Sequence, residues 1–256
     1  MKFENTEVWG FEHALRGMRN PKNSWAKNDS GCGCFERSFM NYVESGPQKC
    51  TECPANTQHG ICHARENNKQ YIIGPNDLKL CQTLIKAGSE HRKFLRQIFV
   101  SVDITAPFYF WKEFDTYKVG TVSNSCSTMH KLATTPITLD CFETDDFDPM
   151  DIEIFTPQEI ISYCEELRRK YLETKNKKYW KELIRWLPES WLQKRTITMN
   201  YENIYAISKQ RAAHKLNEWS GLDNPENPNF IAWARSLPYA KELIFDMLDQ
   251  TKNEAA

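Results

Sequence analysis

Residues 98–107 read Ile-Phe-Val-Ser-Val-Asp-Ile-Thr-Ala-Pro. Apolar residues alternate with Phe99, Ser101 and Asp103, which is the period of a β-strand that buries one face. The expected inward positions are Ile98, Val100, Val102 and Ile104. Pro107 ends this strand and is favoured at the first position of a helix. The sequence therefore predicts a half-buried strand that leads directly into a helix.

The chain continues with the stretch Phe110-Trp-Lys-Glu-Phe-Asp-Thr-Tyr-Lys-Val-Gly-Thr-Val-Ser-Asn-Ser-Cys-Ser-Thr-Met-His130. Aromatic residues, charges and small hydroxyl side chains stand here where an ordinary core helix would have Leu and Ala. This composition indicates a ligand site that begins on a helix. Within it, Cys126 has two interpretations: a nucleophile activated by His130, four residues later, or a small cysteine packed in a core.

Composition limits the kind of protein that carries this site. The 256 residues are 40% hydrophobic, with 33 Lys plus Arg against 34 Asp plus Glu. This is enough chain for one compact domain with an insertion. A net charge of −1 gives no general attraction to duplex nucleic acid or to an anionic membrane. No apolar run approaches the roughly 20 residues that cross a bilayer, and the first residues lack a secretion signal. We therefore expect a cytoplasmic protein.

The N-terminal segment, residues 1–70, differs from the rest of the chain because residues 20 to 70 are rich in turn formers. We expect a loop-rich, cysteine-containing insertion there and a folded core over 71–256. Cysteine and histidine pairs in it are possible zinc ligands: Cys32, Cys34, Cys50, Cys53, Cys62 and His63. The Cys-x-x-Cys motif occurs only once, so a flap of unliganded thiols is the alternative, and we expect no metal.

Further elements are predicted from periodicity and capping signals. A short strand is expected over 71–74, and helices are expected over 75–88, from 157 onward, over about 200–219 and over about 230–248. The helix start at 157 is marked most clearly, by Pro157 and Glu159. Arg168 to Lys170 are expected at the wet end of that helix. The acidic run 145–151 is expected to be a solvated linker rather than a metal site. Strands and helices in this order favour an α+β fold.

The predicted helix over 200–219 has a polar face. At about 100° per residue, Asn200, Arg211, His214 and Glu218 fall on one face, together with two isoleucines, and a second face is apolar. These side chains have two interpretations. They form structural ion pairs on a solvated face, or Arg211 lies at the edge of a cleft and offers its planar guanidinium to a phosphate or a pyrimidine carbonyl.

The order Leu187-Pro188, Thr198-Met199-Asn200, Arg211, His214 and Glu218 resembles the C-terminal half of the flavin-dependent thymidylate synthases, the ThyX family. Arg185 lies close to where that family has a substrate-binding Arg. The segment 124–130, Asn-Ser-Cys-Ser-Thr-Met-His, is similar to the NExSxRY end of the family signature RHRxxSxNExSxRY. It keeps Asn124 and Ser127 but has Ser125, Met129 and His130 in place of Glu, Arg and Tyr. Thr116-Tyr117-Lys118 stands near the position of Arg-His-Arg.

The resemblance implies an α+β, ThyX-like fold with a twisted antiparallel sheet packed with several helices. It also implies a homotetramer that holds FAD and dUMP between subunits. That family is involved in pyrimidine metabolism, where it transfers a one-carbon unit from methylenetetrahydrofolate to C5 of the uracil, with NADPH as reductant. The enzyme would thus be a flavoprotein methyltransferase acting on a nucleotide.

The resemblance assigns three sets of residues. The catalytic residues are Arg211 and Ser127. The cofactor-binding residues are Tyr117, Lys118, Asn124, Asn200 and His214. The substrate-binding residues are Ser125, Ser127, His130, Lys131, Arg185 and Arg211.

The departures from the signature open an alternative function. Met129 removes a cationic phosphate partner, a contact typically worth about 1.5–3 kcal/mol. dUMP binding then needs Lys131, Lys118 or Arg185 as a substitute, or the substrate is a related nucleotide. The alternative of a different class is a non-catalytic nucleotide- or flavin-binding sensor or scaffold that keeps the fold.

Overall fold

The computed structural model describes residues 1–33, 70–145 and 157–255. The strands are β1 Lys2–Trp9, β2 Gly31–Gly33, β3 Gln70–Ile72, β4 Phe99–Pro107, β5 Val122–Ser125 and β6 Leu192–Asn200. The α-helices are α1 Phe11–Met18, α2 Pro75–Lys86, α3 Phe108–Phe114, α4 Thr128–Lys131, α5 Pro157–Thr174, α6 Lys177–Trp186, α7 Tyr201–Arg211, α8 Asn217–Ser220, α9 Phe230–Arg235 and α10 Asp246–Ala255.

The fold is α+β, with a four-stranded antiparallel sheet and several helices, as predicted. The strand order is β1-β4-β6-β5. Strand β5 pairs antiparallel with β6, so that Val122 lies opposite Thr198 and Ser125 lies opposite Arg195. A separate ribbon pairs β2 with β3, where Gly31 lies opposite Ile72.

The chain groups into two compact units. Unit 1 contains Met1–Glu7, Ser101–Met199 and Gln210–Trp233. Unit 2 contains Val8–Val100, Asn200–Lys209 and Ala234–Ala256. The predicted division between an N-terminal segment 1–70 and a core 71–256 stays a prediction, because residues 34–69 lie outside the described chain.

The alternation predicted over 98–107 is confirmed. The four expected inward residues are at most 1% exposed, whereas Phe99 is 36% exposed. Pro107 is the N-cap residue of α3, immediately before Phe108. Helix α3 buries large aromatic side chains in unit 1, because Phe110 stacks on Trp219 with ring centroids 4.2 Å apart. This packing fixes the start of the 110–130 stretch.

A second small core in unit 1 joins α5 and α6 to the segment after α4. Its buried members are Leu132, Ile137, Phe142, Cys164, Leu167 and Leu183. Arg168 also belongs to this region, with 8% exposure, so the prediction of a wet end was wrong for this residue. Its Nη1 donates to the carbonyl oxygen of Ala133 at 3.3 Å, and Glu165 accepts both from Arg168 and from the backbone N–H of Ile137. Arg168 stays buried because the pair satisfies these backbone groups.

Unit 2 contains a fully buried ion pair beneath helix α2. Arg19 Nε donates to Asp77 Oδ1 at 2.6 Å, and the two side chains are 4% and 0% exposed. Ser30 Oγ and the backbone N–H of Asp29 donate to the other oxygen of Asp77. Asp29 in turn accepts from backbone N–H groups of the first turn of α2. The helix predicted over 75–88 is therefore confirmed, and it is tied to the chain that leads into β2.

The single helix predicted over 200–219 was wrong in its second half. Helix α7 ends at Arg211, and the short helix α8 follows it. The backbone N–H of Leu216 donates to His214 Nδ1 at 3.2 Å, and Ser220 Oγ donates to the carbonyl oxygen of His214. These side-chain hydrogen bonds form a turn and replace the backbone hydrogen bonds that would continue the helix.

The helix predicted over 230–248 is also divided. It consists of α9, a π-helical turn at Lys241–Phe245, and α10. Pro238 lies in the gap after α9, and proline cannot donate the backbone hydrogen bond that a continuous helix needs. No helix in the described ranges is long and apolar enough to cross a membrane.

Candidate active site

The aromatic stretch and the end of α7 form a polar centre in unit 1. Arg211 Nε donates to the hydroxyl oxygen of Tyr117 at 2.8 Å, and Arg211 Nη1 lies 2.8 Å from Glu113 Oε2. His214 Nε2 approaches the same Glu113 oxygen at 3.4 Å. We call Glu113, Tyr117, Arg211, His214 and Trp219 the Arg211 cluster. The Arg211 guanidinium lies 4.9 Å from the centroid of the Trp219 ring.

One edge of the Arg211 guanidinium remains available. Its Nε and Nη1 have the partners given above, and no partner for Nη2 exists in the described part of the chain. The side chain is 17% exposed. The guanidinium is held by one hydrogen bond to Tyr117, by an ion pair with Glu113 whose angle is outside hydrogen-bond geometry, and by the Trp219 ring. These contacts direct its remaining N–H groups. This arrangement suits a ligand that carries a carbonyl or phosphate oxygen.

A cleft of about 260 Å³ opens beside this cluster, and we call it the Lys118 cleft. It is lined by Phe114, Asp115, Tyr117, Lys118, Thr121 and Ser123. Tyr117 therefore belongs both to the Arg211 cluster and to the cleft wall. Asp115 is neutralised by an ion pair with Arg195 at 2.8 Å. Lys118 forms no ion pair within the residues described. Its ammonium group therefore gives the cleft a net positive charge.

A second cleft of about 220 Å³, the Lys131 cleft, is formed by the segment after β5. Its lining residues are Thr105, Cys126, Ser127, Thr128, Lys131, Leu132, Thr135, Trp191, Leu192, Gln193 and Lys194. Hydroxyl groups and two ammonium groups are thus collected at one depression. Such a set of donors is suited to an anionic, oxygen-rich ligand.

The segment that carries the Lys131 cleft is held in place by local hydrogen bonds. Ser127 caps α4, because its Oγ accepts from the backbone N–H of His130 at 3.3 Å. Trp180 Nε1, on α6, donates to the carbonyl oxygen of Met129 at 3.3 Å. The carbonyl oxygen of Cys126 accepts from Gln193 Nε2 at 2.9 Å. Cys126 is exposed, so it is not the core cysteine that one interpretation expected.

The two lysines of this cleft differ in their partners. Lys194 lies 3.1 Å from Glu4 and 3.3 Å from Asp103. Hydrogen bonds from Thr196 and then Asn5 lower the pKa of Asp103 to about 2, so this carboxylate stays charged. Lys131 forms no ion pair in the described ranges. Lys131 is therefore the cation of the cleft that is free to meet a ligand.

The other predicted site residues are distributed as follows. Asn124 and Ser125 lie on β5, exposed, opposite Thr196 and Arg195 of β6. His130 is exposed at the end of α4. Arg185 is 52% exposed and pairs with Glu182 on its own helix, and it lines neither cleft.

Asn200 belongs to unit 2 and is 8% exposed. Its Oδ1 accepts from the backbone N–H of Asn203 at 3.0 Å, and Asn203 Oδ1 accepts from the Asn200 N–H at 3.2 Å. This reciprocal cap starts α7. The remaining zinc candidates, Cys34, Cys50, Cys53, Cys62 and His63, lie outside the described residues. Within the described ranges no cluster of metal-ligating side chains occurs.

Glu218 does not join the Arg211 cluster as the helical wheel predicted. Its carboxylate accepts from the hydroxyl of Tyr109, and the side chain is 5% exposed. Burial raises the pKa of Glu218, although the Tyr109 hydrogen bond acts in the opposite direction. Burial and the nearby carboxylate also raise the pKa of Tyr109. The turn after α7 carries Glu218 to this partner.

Sequence reasoning missed Glu113 and Arg195. Glu113 is the carboxylate shared by Arg211 and His214. Both partners lie far along the chain from helix α3, so no local spacing indicates these contacts. Arg195 stacks over the ring of Trp111 at 4.3 Å and bonds to Asp115, a contact between residues 80 positions apart. No local pattern indicates that contact.

No family model matches the chain, and no curated protein matches it. Solved structures do match its fold. One is thymidylate synthase X (ThyX) from Helicobacter pylori with FAD and dUMP, at 13% sequence identity and a TM-score of 0.56, covering 97% of this chain and 99% of that chain. Another is flavin-dependent thymidylate synthase ThyX from Helicobacter pylori complexed with FAD and dUMP, at 12% identity and a TM-score of 0.54, covering 96% and 99%.

The fold is ThyX-like. This confirms the fold that the resemblance implied, over almost the whole chain. At such low identity the likeness extends to the fold and not to the chemistry. The roles of individual residues in the ThyX-like chain therefore rest on the geometry of the two clefts and the Arg211 cluster.

Proposed function

We propose that this protein is a flavin-dependent enzyme of the thymidylate synthase type. It would transfer a one-carbon unit to C5 of a uracil nucleotide, dUMP or a close relative, with FAD as cofactor and methylenetetrahydrofolate and NADPH as co-substrates. The observation that carries the proposal is the pair of cationic clefts on either side of β5, in a ThyX-like fold whose solved examples contain FAD and dUMP. Four of the residues that the resemblance assigns line these clefts: Tyr117, Lys118, Ser127 and Lys131.

The Lys118 cleft fits part of a flavin nucleotide. Phe114 and Tyr117 offer aromatic surface, and Lys118 offers an ammonium group for a phosphate. Thr121 Oγ1 is buried and has no hydrogen-bond partner among the described residues, which leaves a polar group for a ligand to satisfy. The cleft volume of about 260 Å³ is smaller than the roughly 300–1,000 Å³ of typical ligand pockets.

The small volume favours a site completed by a second copy of the chain. FAD is larger than a drug-sized ligand, so most of it would lie outside the Lys118 cleft of one chain. We therefore retain the homotetramer as part of the proposal. Light scattering of the purified protein at several concentrations tests it, and a monomer at all concentrations would contradict it.

The Lys131 cleft fits the nucleotide phosphate. Lys131 supplies a cation that has no carboxylate partner, and Ser127 and Thr128 supply hydroxyl donors at the start of α4. Lys131 would thus bind the phosphate in place of the signature Arg, whose position Met129 occupies in this chain. His130 is exposed on the same helix.

The residues of the chain would work by positioning and charge stabilisation. Bound reduced flavin would supply the reducing equivalents for the one-carbon transfer. Arg211 would direct its remaining N–H groups at the oxygen of the pyrimidine on which negative charge develops. Glu113 and Tyr117 would hold the guanidinium in that direction. No protein nucleophile is required, so Cys126 has no covalent role in this mechanism.

A second candidate function is favoured by one specific contact. Arg211 is already bound to Glu113 and Tyr117, and an arginine with these partners can serve a non-catalytic nucleotide- or flavin-binding scaffold equally well. The two candidates differ in turnover and not in binding.

The test combines binding with product analysis. The purified protein is incubated with FAD, dUMP, methylenetetrahydrofolate and NADPH, and the nucleotide fraction is analysed by mass spectrometry. A product heavier than dUMP by one CH2 unit, as replacement of the C5 hydrogen by a methyl group requires, and absent when FAD is omitted, supports the enzyme. Binding of FAD and dUMP without product supports the scaffold. A protein that acquires no flavin absorbance on incubation with FAD contradicts the enzyme, and one that binds neither FAD nor dUMP contradicts both candidates.

A further inference from the structure

A chain of hydrogen bonds runs from the Lys118 cleft to the Lys131 cleft within unit 1. Asp115 lines the Lys118 cleft, and its Oδ1 accepts from Arg195 Nη1 at 2.8 Å. Arg195 Nε donates to Gln193 Oε1 at 2.9 Å. Gln193 lines the Lys131 cleft, and its Nε2 donates to the carbonyl oxygen of Cys126 at 2.9 Å. We call these four residues the Arg195 relay.

The relay is rigid in its middle. Gln193 and Arg195 are two residues apart on β6 and therefore project from the same face of the sheet. The Arg195 guanidinium lies over the Trp111 ring at 4.3 Å, and Trp111 Nε1 donates to the carbonyl oxygen of Gln193 at 3.0 Å. Arg195 is 14% exposed and Gln193 is 9% exposed. Ring and hydrogen bonds together fix the plane of the guanidinium.

The ends of the relay are more exposed than its middle. Asp115 is 52% exposed at the Lys118 cleft, and Cys126 is exposed at the Lys131 cleft. A ligand in either cleft can therefore contact one end directly. Because the guanidinium is planar, a shift of its Asp115 edge also moves the edge that holds Gln193. A broken link would leave a buried polar group without a partner, which is costly.

We propose that Arg195 is a positioning residue that couples ligand binding in the two clefts. The inference rests on the proposed function, since it takes a flavin nucleotide and a uracil nucleotide as the two ligands. Each ligand then changes the affinity of the protein for the other by the same factor, as linkage requires. The cofactor would in this way prepare the Lys131 cleft for the nucleotide.

The first experiment measures this linkage. The dissociation constant of FAD is determined by fluorescence titration of the full chain, with and without saturating dUMP. The wild-type protein is expected to show a change of about fivefold or more. In Arg195→Met the ratio is expected to fall close to one. Arg195→Lys is expected to behave in the same way, because an ammonium group cannot replace the planar fork that joins Asp115 to Gln193.

Two further variants support the interpretation. Arg92→Met is the matched control, because Arg92 also lies over a tyrosine ring, that of Tyr205 at 4.3 Å, and pairs with a carboxylate, Glu202 at 3.0 Å. It lies in unit 2 and outside the relay, so linkage should remain at the wild-type value. Asp115→Asn alters only the exposed end of the relay and is expected to reduce the linkage even if Arg195→Met fails to fold.

The second experiment needs no ligand. The alkylation rate of the Cys126 thiol is measured by peptide mass spectrometry in the wild type, Arg195→Met and Arg92→Met. Loss of Arg195 frees the Gln193 amide and loosens the Cys126 turn. An increase of about fivefold is expected, the size that loss of one average hydrogen bond of about 1 kcal/mol would give. Arg92→Met should leave the rate unchanged.

The outcomes separate the relay from the proposed function. If FAD and dUMP both bind but show no linkage, or if Arg195→Met and Asp115→Asn keep the wild-type linkage, the coupling is overturned and the proposed function stands. If neither ligand binds, the proposed function is overturned together with the coupling. An unchanged Cys126 alkylation rate in Arg195→Met would contradict the positioning of the Cys126 turn directly.

Discussion

Each of the two compact units contains an arginine bound to a carboxylate, and the two arginines are set in different surroundings. In unit 2, Arg19 is 4% exposed, and all three of its nitrogens have partners: Asp77 binds Nε and Nη2, and the carbonyl oxygen of Ser24 binds Nη1. In unit 1, Arg211 is 17% exposed and has Nη2 unpartnered within the described chain. A buried arginine whose nitrogens all have partners stabilises the structure, whereas an arginine with an unpartnered nitrogen beside a cleft can bind a ligand.

The comparison is tested most strongly at Arg19. Asp77→Asn would leave the Arg19 charge buried and without compensation, so the free energy of unfolding should fall by about 3–5 kcal/mol. Urea unfolding followed by circular dichroism measures this change. Asp246→Asn is the control, since Asp246 forms an exposed pair with Lys241, and it should cost at most about 1 kcal/mol. Equal losses in the two variants would show that the buried pair does not have the structural role given to it.

Arg211→Ala is expected to affect ligand binding rather than the free energy of unfolding. It should weaken dUMP binding by roughly tenfold to a hundredfold, because it removes a charge-assisted hydrogen bond to the ligand. Isothermal titration of the FAD-loaded protein measures the affinity. Arg92→Ala is the control, since its side chain is equally exposed at 17% and equally bound to a carboxylate. An unchanged dUMP affinity in Arg211→Ala would mean that Arg211 is as structural as Arg19.

Lys131→Met sharpens the comparison inside unit 1. Lys131 is the ammonium group of this cleft that has no carboxylate partner among the described residues. Its removal should weaken dUMP binding about threefold to tenfold. The loss should shrink as salt is added, because the interaction is between charges near the surface. Lys112→Met is the control, since Lys112 is paired with Glu189 and lines neither cleft. Equal effects of the two substitutions would remove Lys131 from the proposed nucleotide site.

Some of this contrast could be predicted from sequence. The alternation at 98–107 gave the central strand, and Pro107 gave the start of the aromatic helix, because burial on one face leaves a period that is visible locally. The resemblance over 124–130 and 187–218 led to the ThyX-like fold. Tyr117, Lys118, Ser127 and Lys131 are site residues by that resemblance, and all four line the two clefts.

The parts that escaped prediction depend on contacts between distant residues. Arg19 meets Asp77 across 58 positions, and Arg195 meets Asp115 across 80. Neither pair leaves a periodic signal. The helical wheel placed Glu218 beside Arg211 because it assumes an unbroken helix. The hydrogen bonds of His214 that form the turn after Arg211 cannot be predicted from helix propensity alone.

Glu218 gives the smallest expected effect, which concerns stability and pH. Burial raises its pKa in the folded state, so the folded protein binds a proton where the unfolded chain does not. Stability from this group is therefore fully present below the ordinary carboxyl pKa and is lost as pH rises through the raised value. Glu218→Gln stays neutral and should lack this loss. Urea unfolding between pH 4 and pH 7 compares it with the exposed control Glu226→Gln, and a wild-type pH slope in Glu218→Gln would contradict the assignment.

The central claim is that the Lys118 and Lys131 clefts bind a flavin and a uracil nucleotide in one site. Its most direct test is the visible difference spectrum of the FAD-loaded protein on addition of dUMP. We predict a saturable perturbation of the flavin bands that Arg211→Ala weakens and Arg92→Ala preserves. A protein that binds FAD but shows no spectral response to saturating dUMP would contradict the claim.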